Sequence, residues 1–141
     1  MGASDRIRDF VEALPLRPGL RVLEIGCGPG VAARLVAARV APGVVLAIDR
    51  SASAVAQARA GSAAEIAAGR MEVRQAAVED FVLDPGEAPF DLAFAMRVGA
   101  LDGRHPELEG RALARLRAAL TPGGRLFIDG GTPLREIPLP A

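Results

Sequence analysis

The 141-residue sequence contains no Trp, Tyr, Lys or Asn, and only one Cys and one His. A lone Cys27 excludes an internal disulfide, and Cys27 with His105 cannot build a His/Cys metal cluster. Aromatic residues make up 4% of the chain, so the core must be filled by Ala, Val, Leu and Ile. Charge of one sign is not in excess: 17 acidic residues face 17 basic ones. The basic footprint of a duplex-binding protein is therefore missing, and no nucleic-acid partner is expected. No apolar run approaches the roughly 20 residues that cross a bilayer. Met1–Phe10 is polar and charged, unlike a secretory signal. A cytoplasmic protein without membrane association is the expectation.

What is present is regular punctuation. Ser4 or Asp5 can cap a helix over Asp5–Leu14, with Ile7, Phe10, Val11 and Leu14 on one face. Arg21–Ile25 reads as a short apolar strand, Gly26–Gly30 as its exit loop, and Val31–Val40 as a helix stopped by Pro42 and Gly43. Val44–Ile48 is a continuous apolar run suited to a strand buried on both faces, and Asp49 closes it. A helix over Ser51–Ala68, a strand at Met71–Gln75 and a long connection over Ala76–Pro89 follow. Phe90–Met96 is a strand, Pro106–Leu120 a helix, Thr121–Gly124 a turn and Arg125–Asp129 a further strand. Residues 1–19 supply the N-terminal helix and its approach to the sheet. Residues 131–141, with three prolines, read as an irregular tail. Alternation of strands and helices implies parallel pairing with right-handed crossovers. The expected architecture is one α/β domain over residues 1–141, a doubly wound, mostly parallel sheet of five strands with helices on both faces.

In such sheets ligands bind beyond the carboxyl ends of the strands. That rule directs attention to Glu24–Gly30, Asp49, Ala76–Asp80 and Met96–Gly99. Glycine lets a backbone turn sharply and lets a ligand approach without a Cβ in the way. Here the glycines follow a strand, open a helix, and precede an acid at the end of the second strand. This is the context of a nucleoside or dinucleotide site. The nicotinamide fingerprint Gly-x-Gly-x-x-Gly fails, because its third glycine position, counted from Gly26, is Val31. Glu24 beside the loop would repel a pyrophosphate, whereas an acid there suits a ligand with a cationic end. Both observations favour S-adenosylmethionine, which carries a sulfonium and an amino group but no phosphate.

The run Val22-Leu23-Glu24-Ile25-Gly26-Cys27-Gly28-Pro29-Gly30 resembles motif I of the class I S-adenosylmethionine-dependent methyltransferases. The resemblance continues through Asp49, through Phe90-Asp91-Leu92, and through Leu120-Thr121-Pro122-Gly123-Gly124-Arg125-Leu126, and covers residues 5–130. It implies a Rossmann-like fold and S-adenosylmethionine as cofactor, with S-adenosylhomocysteine as product. It also implies in-line methyl transfer to a small-molecule substrate. Gly26, Gly28 and Gly30 would line the methionine part, with Cys27 and Pro29 contributing backbone groups and Glu24 helping to hold the cationic end. Asp49 would accept hydrogen bonds from both ribose hydroxyls, and Arg50 would cover the adenine. The family often places an acid after strand three to bind the adenine amino group. The matching position here is Ala77, leaving the backbone of Ala77 or Val78, or the carboxylate of Glu79, for that contact. Met96 and Arg97 would lie under the cofactor near the transferred methyl.

No catalytic residue is assigned. Asp102, His105 and Arg97 are nearest in sequence to the expected methyl position, and His105 before Pro106 reads first as a helix-start residue. Cys27, inside the glycine loop, reads as a small packing residue. The family sheet has seven strands, the last two forming a hairpin beside strand five, and this sequence lacks that hairpin by the present reading. Strand five would then be an open edge, which a homodimer could cover by pairing Arg125–Asp129 across a two-fold axis. Two other readings stand beside the enzyme: a non-catalytic or truncated S-adenosylmethionine-binding module, and, more weakly, a nicotinamide (NAD-binding) oxidoreductase domain.

Overall fold

A computed structural model describes residues 4–141; residues 1–3 of the expected N-terminal segment lie outside the described residues. The elements run α1 (Asp5–Ala13), β1 (Arg21–Ile25), α2 (Val31–Val40), β2 (Val44–Asp49), α3 (Ala52–Gly61), α4 (Ala63–Ala67) and β3 (Met71–Gln75). A 3-10 turn at Val78–Asp80 precedes β4 (Phe90–Ala95), α5 (Pro106–Ala119), β5 (Leu120–Asp129) and β6 (Leu134–Ile137). The six strands form one sheet in the order β3-β2-β1-β4-β5-β6. The first five are parallel and β6 runs antiparallel to β5. The strand order reverses between β1 and β4, which places the ligand crevice of a doubly wound sheet at their carboxyl ends.

Side-chain alternation along the strands splits the core in two. Val22, Val45, Ala47, Leu92 and Phe94 face α1, α2 and α3, where Phe10, Val36 and Val40 are fully buried. Leu23, Ile25, Leu46, Ile48, Ala93 and Ala95 face α5 and the 3-10 turn, where Leu116 is fully buried and Val78 and Phe81 nearly so. Phe10 of α1 and Phe94 of β4 lie 5.9 Å apart between ring centroids, one of the few aromatic contacts such a composition permits. Small residues let the helices sit close: Ala33 of α2, Ala58 of α3 and Ala112 of α5 have no exposed surface.

Four expectations are corrected. The single helix over Ser51–Ala68 is two, broken at Ser62, whose side chain is buried and accepts a hydrogen bond from Arg34 Nη1 at 2.9 Å. The tail is not irregular: Gly130 adopts φ +109°, and Leu134–Ile137 turns back along β5, with Leu126 opposite Ile137 and Asp129 opposite Leu134. Gly131 permits this reversal, since a Cβ there would lie 2.0 Å from the Leu134 carbonyl oxygen. The sheet therefore has six strands, not five. The edge proposed for a homodimer, Arg125–Asp129, is already paired within the chain. The expected Thr121–Gly124 turn survives as a bulge inside β5: Phe90 pairs with Leu120 and Leu92 with Arg125, so four residues loop out opposite Asp91.

Candidate functional site

The loop from β1 to α2 is held in shape by its own backbone. Gly26, Gly28 and Gly30 all have positive φ, at +69°, +53° and +88°. Such values strain any residue with a Cβ. The Cys27 N–H donates to the Ile48 carbonyl at 3.0 Å, and the Gly28 N–H donates to Asp49 Oδ2 at 3.0 Å. Arg34 Nη1 donates to the Pro29 carbonyl at 2.9 Å while also reaching Ser62. The loop is thus fastened to the end of β2 on one side and to the α3–α4 junction on the other. That last connection escaped the sequence reading, because Ser62 looks like an ordinary position in an Ala-rich helix.

Glu24 points to the α2 side of the sheet, in step with Val22. It is 3% exposed, and its Oε1 is buried with no hydrogen-bond partner among the described residues. Burial pushes its carboxyl up to about 8; the Ala33 backbone N–H opposes the shift, the Asp49 charge adds to it and Arg34 opposes it. Burial likewise pushes the Cys27 thiol up to about 12, helped by the charges of Glu24 and Asp49. A thiol so protonated is no nucleophile at neutral pH, and Cys27 keeps its packing role.

Two cavities open at the carboxyl ends of the strands. One, of about 280 Å³, is bordered by Glu24, the glycine loop, Met96, and Ser4, Arg6 and Ile7 of the α1 end. The other, of about 310 Å³, is bordered by Asp49, Arg50, Ala77, Val78 and Glu79 on one side and by the β4–α5 connection on the other. Gly26 and Arg97 border both. Every site residue expected from the sequence except Gly30 borders one of the two cavities. Gly30 instead starts α2, and a Cβ on it would lie 3.1 Å from Arg34 Nη1.

Ala100, Arg104 and Leu108 of the wall from the β4–α5 connection were not expected from the sequence. Val98 covers Gly26 so closely that a Cβ on Gly26 would lie 2.6 Å from Val98 Cγ2. The His105 ring packs on Gly99, and Arg104 and Leu108 complete that wall. Position after the fourth strand pointed to Val98 and Gly99, but no periodic signal marks Arg104 or Leu108. His105 does stand at the N-terminus of α5 as expected, without making a side-chain cap.

Asp49 uses both oxygens locally: Oδ2 accepts from Gly28 and Oδ1 from the Ser51 N–H at 2.9 Å. A carboxylate has about four lone-pair sites, so each oxygen can still accept from a ligand hydroxyl. Glu79 is 7% exposed, and Arg50 stands 3.9 Å from it across the cavity mouth. Among the described residues Arg97 is the one non-glycine residue with positive φ, at +59°, a conformation that costs an arginine about 1–2 kcal/mol. Its backbone is gripped from both sides: the N–H donates to Asp129 Oδ1 at 3.0 Å, and the carbonyl accepts from Arg104 Nη2 at 2.6 Å.

These donors and acceptors fit a ligand with a cation at one end, a diol in the middle and a flat base at the other. The buried Glu24 oxygen could accept from a cation, Asp49 could accept from a diol, and Ile25, Ala76, Val98 and Leu108 give the Asp49 cavity apolar surface against which a base could lie. The methyltransferase domain family matches residues 22–124. The chain belongs to the class I S-adenosylmethionine-dependent methyltransferases. Over 124 residues it is 40% identical to a protein-L-isoaspartate O-methyltransferase of Methylorubrum populi, covering 88% of this chain and 51% of that one. Over 121 residues it is 36% identical to a trans-aconitate 2-methyltransferase of Paracidovorax citrulli, covering 86% and 42%. A methyltransferase from Thiobacillus denitrificans, solved with S-adenosyl-L-homocysteine, shares the fold at a TM-score of 0.67 and 22% identity, over 90% of this chain and 48% of that one. The chain thus spans about half the length of these relatives. A single antiparallel strand stands beside β5, where the methyltransferase sheet was expected to carry a hairpin. Among the described residues no helix is long and apolar enough to cross a membrane, and no group of three potential ligand residues could hold a metal ion.

Proposed function

We propose that this chain binds S-adenosylmethionine across the two cavities and directs its methyl group to a small-molecule acceptor. The observation that carries this is the buried, unpartnered Oε1 of Glu24 beside one cavity, with Asp49 lining the adjoining one. A buried acceptor without a donor is costly, and a ligand ammonium would satisfy it. Gly26, Cys27, Gly28 and Pro29 form the bed of the methionine part, and Gly30 gives α2 its start. Asp49 takes the ribose hydroxyls. Arg50 and Glu79 flank the adenine, with the backbone of Ala77 and Val78 within the same wall. Met96 and Arg97 stand where the methyl is presented.

When bound, the cofactor supplies a methyl on a sulfonium: the S–CH3 bond breaks as the acceptor–CH3 bond forms, and the electron pair stays on sulfur. The chain's own residues have to align and enclose. Val98 over Gly26 narrows the junction of the cavities, and the Asp129 and Arg104 contacts fix the backbone of Arg97 beside it. Alignment of this kind replaces a dedicated acid–base pair in an in-line displacement.

The test is calorimetric titration with S-adenosylmethionine, S-adenosylhomocysteine and NAD, repeated with Asp49→Ala. Binding of the first two but not NAD, weakened by the substitution, is expected. Preference for NAD would transfer the site to the nicotinamide reading. Binding without turnover of any acceptor would leave a cofactor module.

A further inference from the structure

Four arginines border the two cavities: Arg6, Arg50, Arg97 and Arg104. Three have carboxylates of their own. Arg6 pairs with Asp129 at 2.7 Å, Arg50 stands 3.9 Å from Glu79, and Arg104 Nε reaches Asp102 at 2.9 Å. Arg97 differs. Among the described residues its guanidinium has neither an ion pair nor a hydrogen bond, and its side chain is exposed at the wall shared by both cavities.

The backbone conditions sharpen the contrast. Position 97 has φ +59°, where glycine is at ease and an arginine is strained. Two paired arginines brace it: Arg104 donates to its carbonyl, and Arg6 shares Asp129 with its N–H. A strained residue held by its surroundings at a cavity points to a functional demand on its side chain. The side chain that this strained position presents to both cavities is a cation.

Resting on the methyl-transfer reading above, we propose that Arg97 is the specificity-determining residue that anchors a carboxylate of the methyl acceptor. A guanidinium matches a carboxylate in a two-pronged arrangement and keeps its charge at any working pH. Fixed at the junction of the cavities, it holds an acidic acceptor facing the methyl. A carboxylate is also ionised at neutral pH, so an acidic acceptor that reacts through oxygen needs an anchoring cation and no base. This accords with the exposed position of His105, whose side chain is 59% exposed.

The test uses the full chain saturated with S-adenosylhomocysteine and titrated calorimetrically with trans-aconitate, with phenylacetate and with their methyl esters. At least one of the two acids is expected to bind and its ester not to. Arg97→Gly is chosen because it relieves the positive φ, so its melting temperature is expected to match or exceed that of the parent. Its affinity for the acid is expected to fall about tenfold or more, the loss of hydrogen bonds to a charged group. Arg97→Lys is expected to recover part of that loss, and S-adenosylhomocysteine affinity to change far less than acid affinity. The proposal is overturned if neither acid binds the loaded chain, if acids and esters bind alike, or if Arg97→Gly leaves acid binding intact. It is also overturned if cofactor affinity falls in step with acid affinity, which would make Arg97 a cofactor residue. Failure of S-adenosylhomocysteine to bind the parent chain would instead sink the cofactor reading beneath it.

Discussion

Replacing Glu24 with glutamine isolates the energetic weight of the buried carboxyl. In the unfolded chain this group ionises near 4.5, whereas in the folded chain burial holds it protonated up to about 8. Between those values the folded state carries the extra proton, so this group's contribution makes stability fall as pH rises. Each unit of displacement is about 1.36 kcal/mol. The wild-type penalty is therefore on the order of 1 kcal/mol near pH 5 and roughly 4 kcal/mol near pH 8. Glutamine cannot ionise, and any cost of its amide in that site is the same at every pH. Urea denaturation of both proteins across this range reads the difference directly. The stability of Glu24→Gln relative to wild type is expected to climb by about 3 kcal/mol from acid to alkaline. A gap that stays flat with pH would refute the assignment of a protonated, buried Glu24. A second readout concerns the ligand. If its ammonium sits against Oε1, binding near pH 6.5 expels about one proton. Calorimetry in two buffers of different ionisation heat would register it, and heats independent of buffer would contradict the placement.

Other positions give sharper local tests. Gly26→Ala puts a Cβ 2.6 Å from Val98 Cγ2 at φ +69°; melting temperature and cofactor affinity are both expected to drop, and adding Val98→Ala to restore part of each. Asp49→Ala removes the acceptor for the Gly28 and Ser51 N–H groups and is expected to weaken S-adenosylhomocysteine binding by about 1.5–3 kcal/mol, with unchanged affinity in titration calorimetry contradicting its place against the ribose. Ending the chain after Gly131 removes β6 and bares the β5 edge. Light scattering is expected to find self-association that the intact chain lacks through this edge, and a truncated chain that stays monomeric would show the edge to be harmless. Arg6→Ala cuts the Arg6–Asp129 pair, whose arginine is 55% exposed, so the unfolding free energy from denaturant titration is expected to fall by under about 1 kcal/mol.

Local pattern carried a large part of the architecture. Val31–Val40 and Met71–Gln75 were legible to the residue, because helix period and strand alternation are written in short range. Gly26–Gly30 and Asp49 were legible because a tight strand-to-helix turn and a fixed acid each demand a residue type. β6 was not: Leu134-Arg135-Glu136-Ile137 is apolar only at its ends and lies between prolines. It is a strand because β5 offers unpaired backbone groups and Arg125 pairs with Glu136 at 2.7 Å, neither of which is local. The Gly130-Gly131 pair directly after a strand was the available hint of a reversal. The break at Ser62 depends on Arg34, 28 positions away. Arg104 and Leu108 reach the site only through the fold of the β4–α5 connection, so composition and spacing pass over them.

The reversed direction of β6 has a practical consequence for handling the protein. Because Ile137 lies beside Leu126, chain leaving β6 travels toward the rim of the sheet opposite the cavities. Ser4, by contrast, borders the cavity that contains Glu24. An affinity handle, fluorophore or surface tether joined beyond Ile137 would keep clear of the binding groove, whereas the same attachment joined ahead of Ser4 would emerge at its doorway. Fusion polarity is thus set by the hairpin, and carboxyl-terminal attachment is the arrangement for measuring ligand affinity undisturbed.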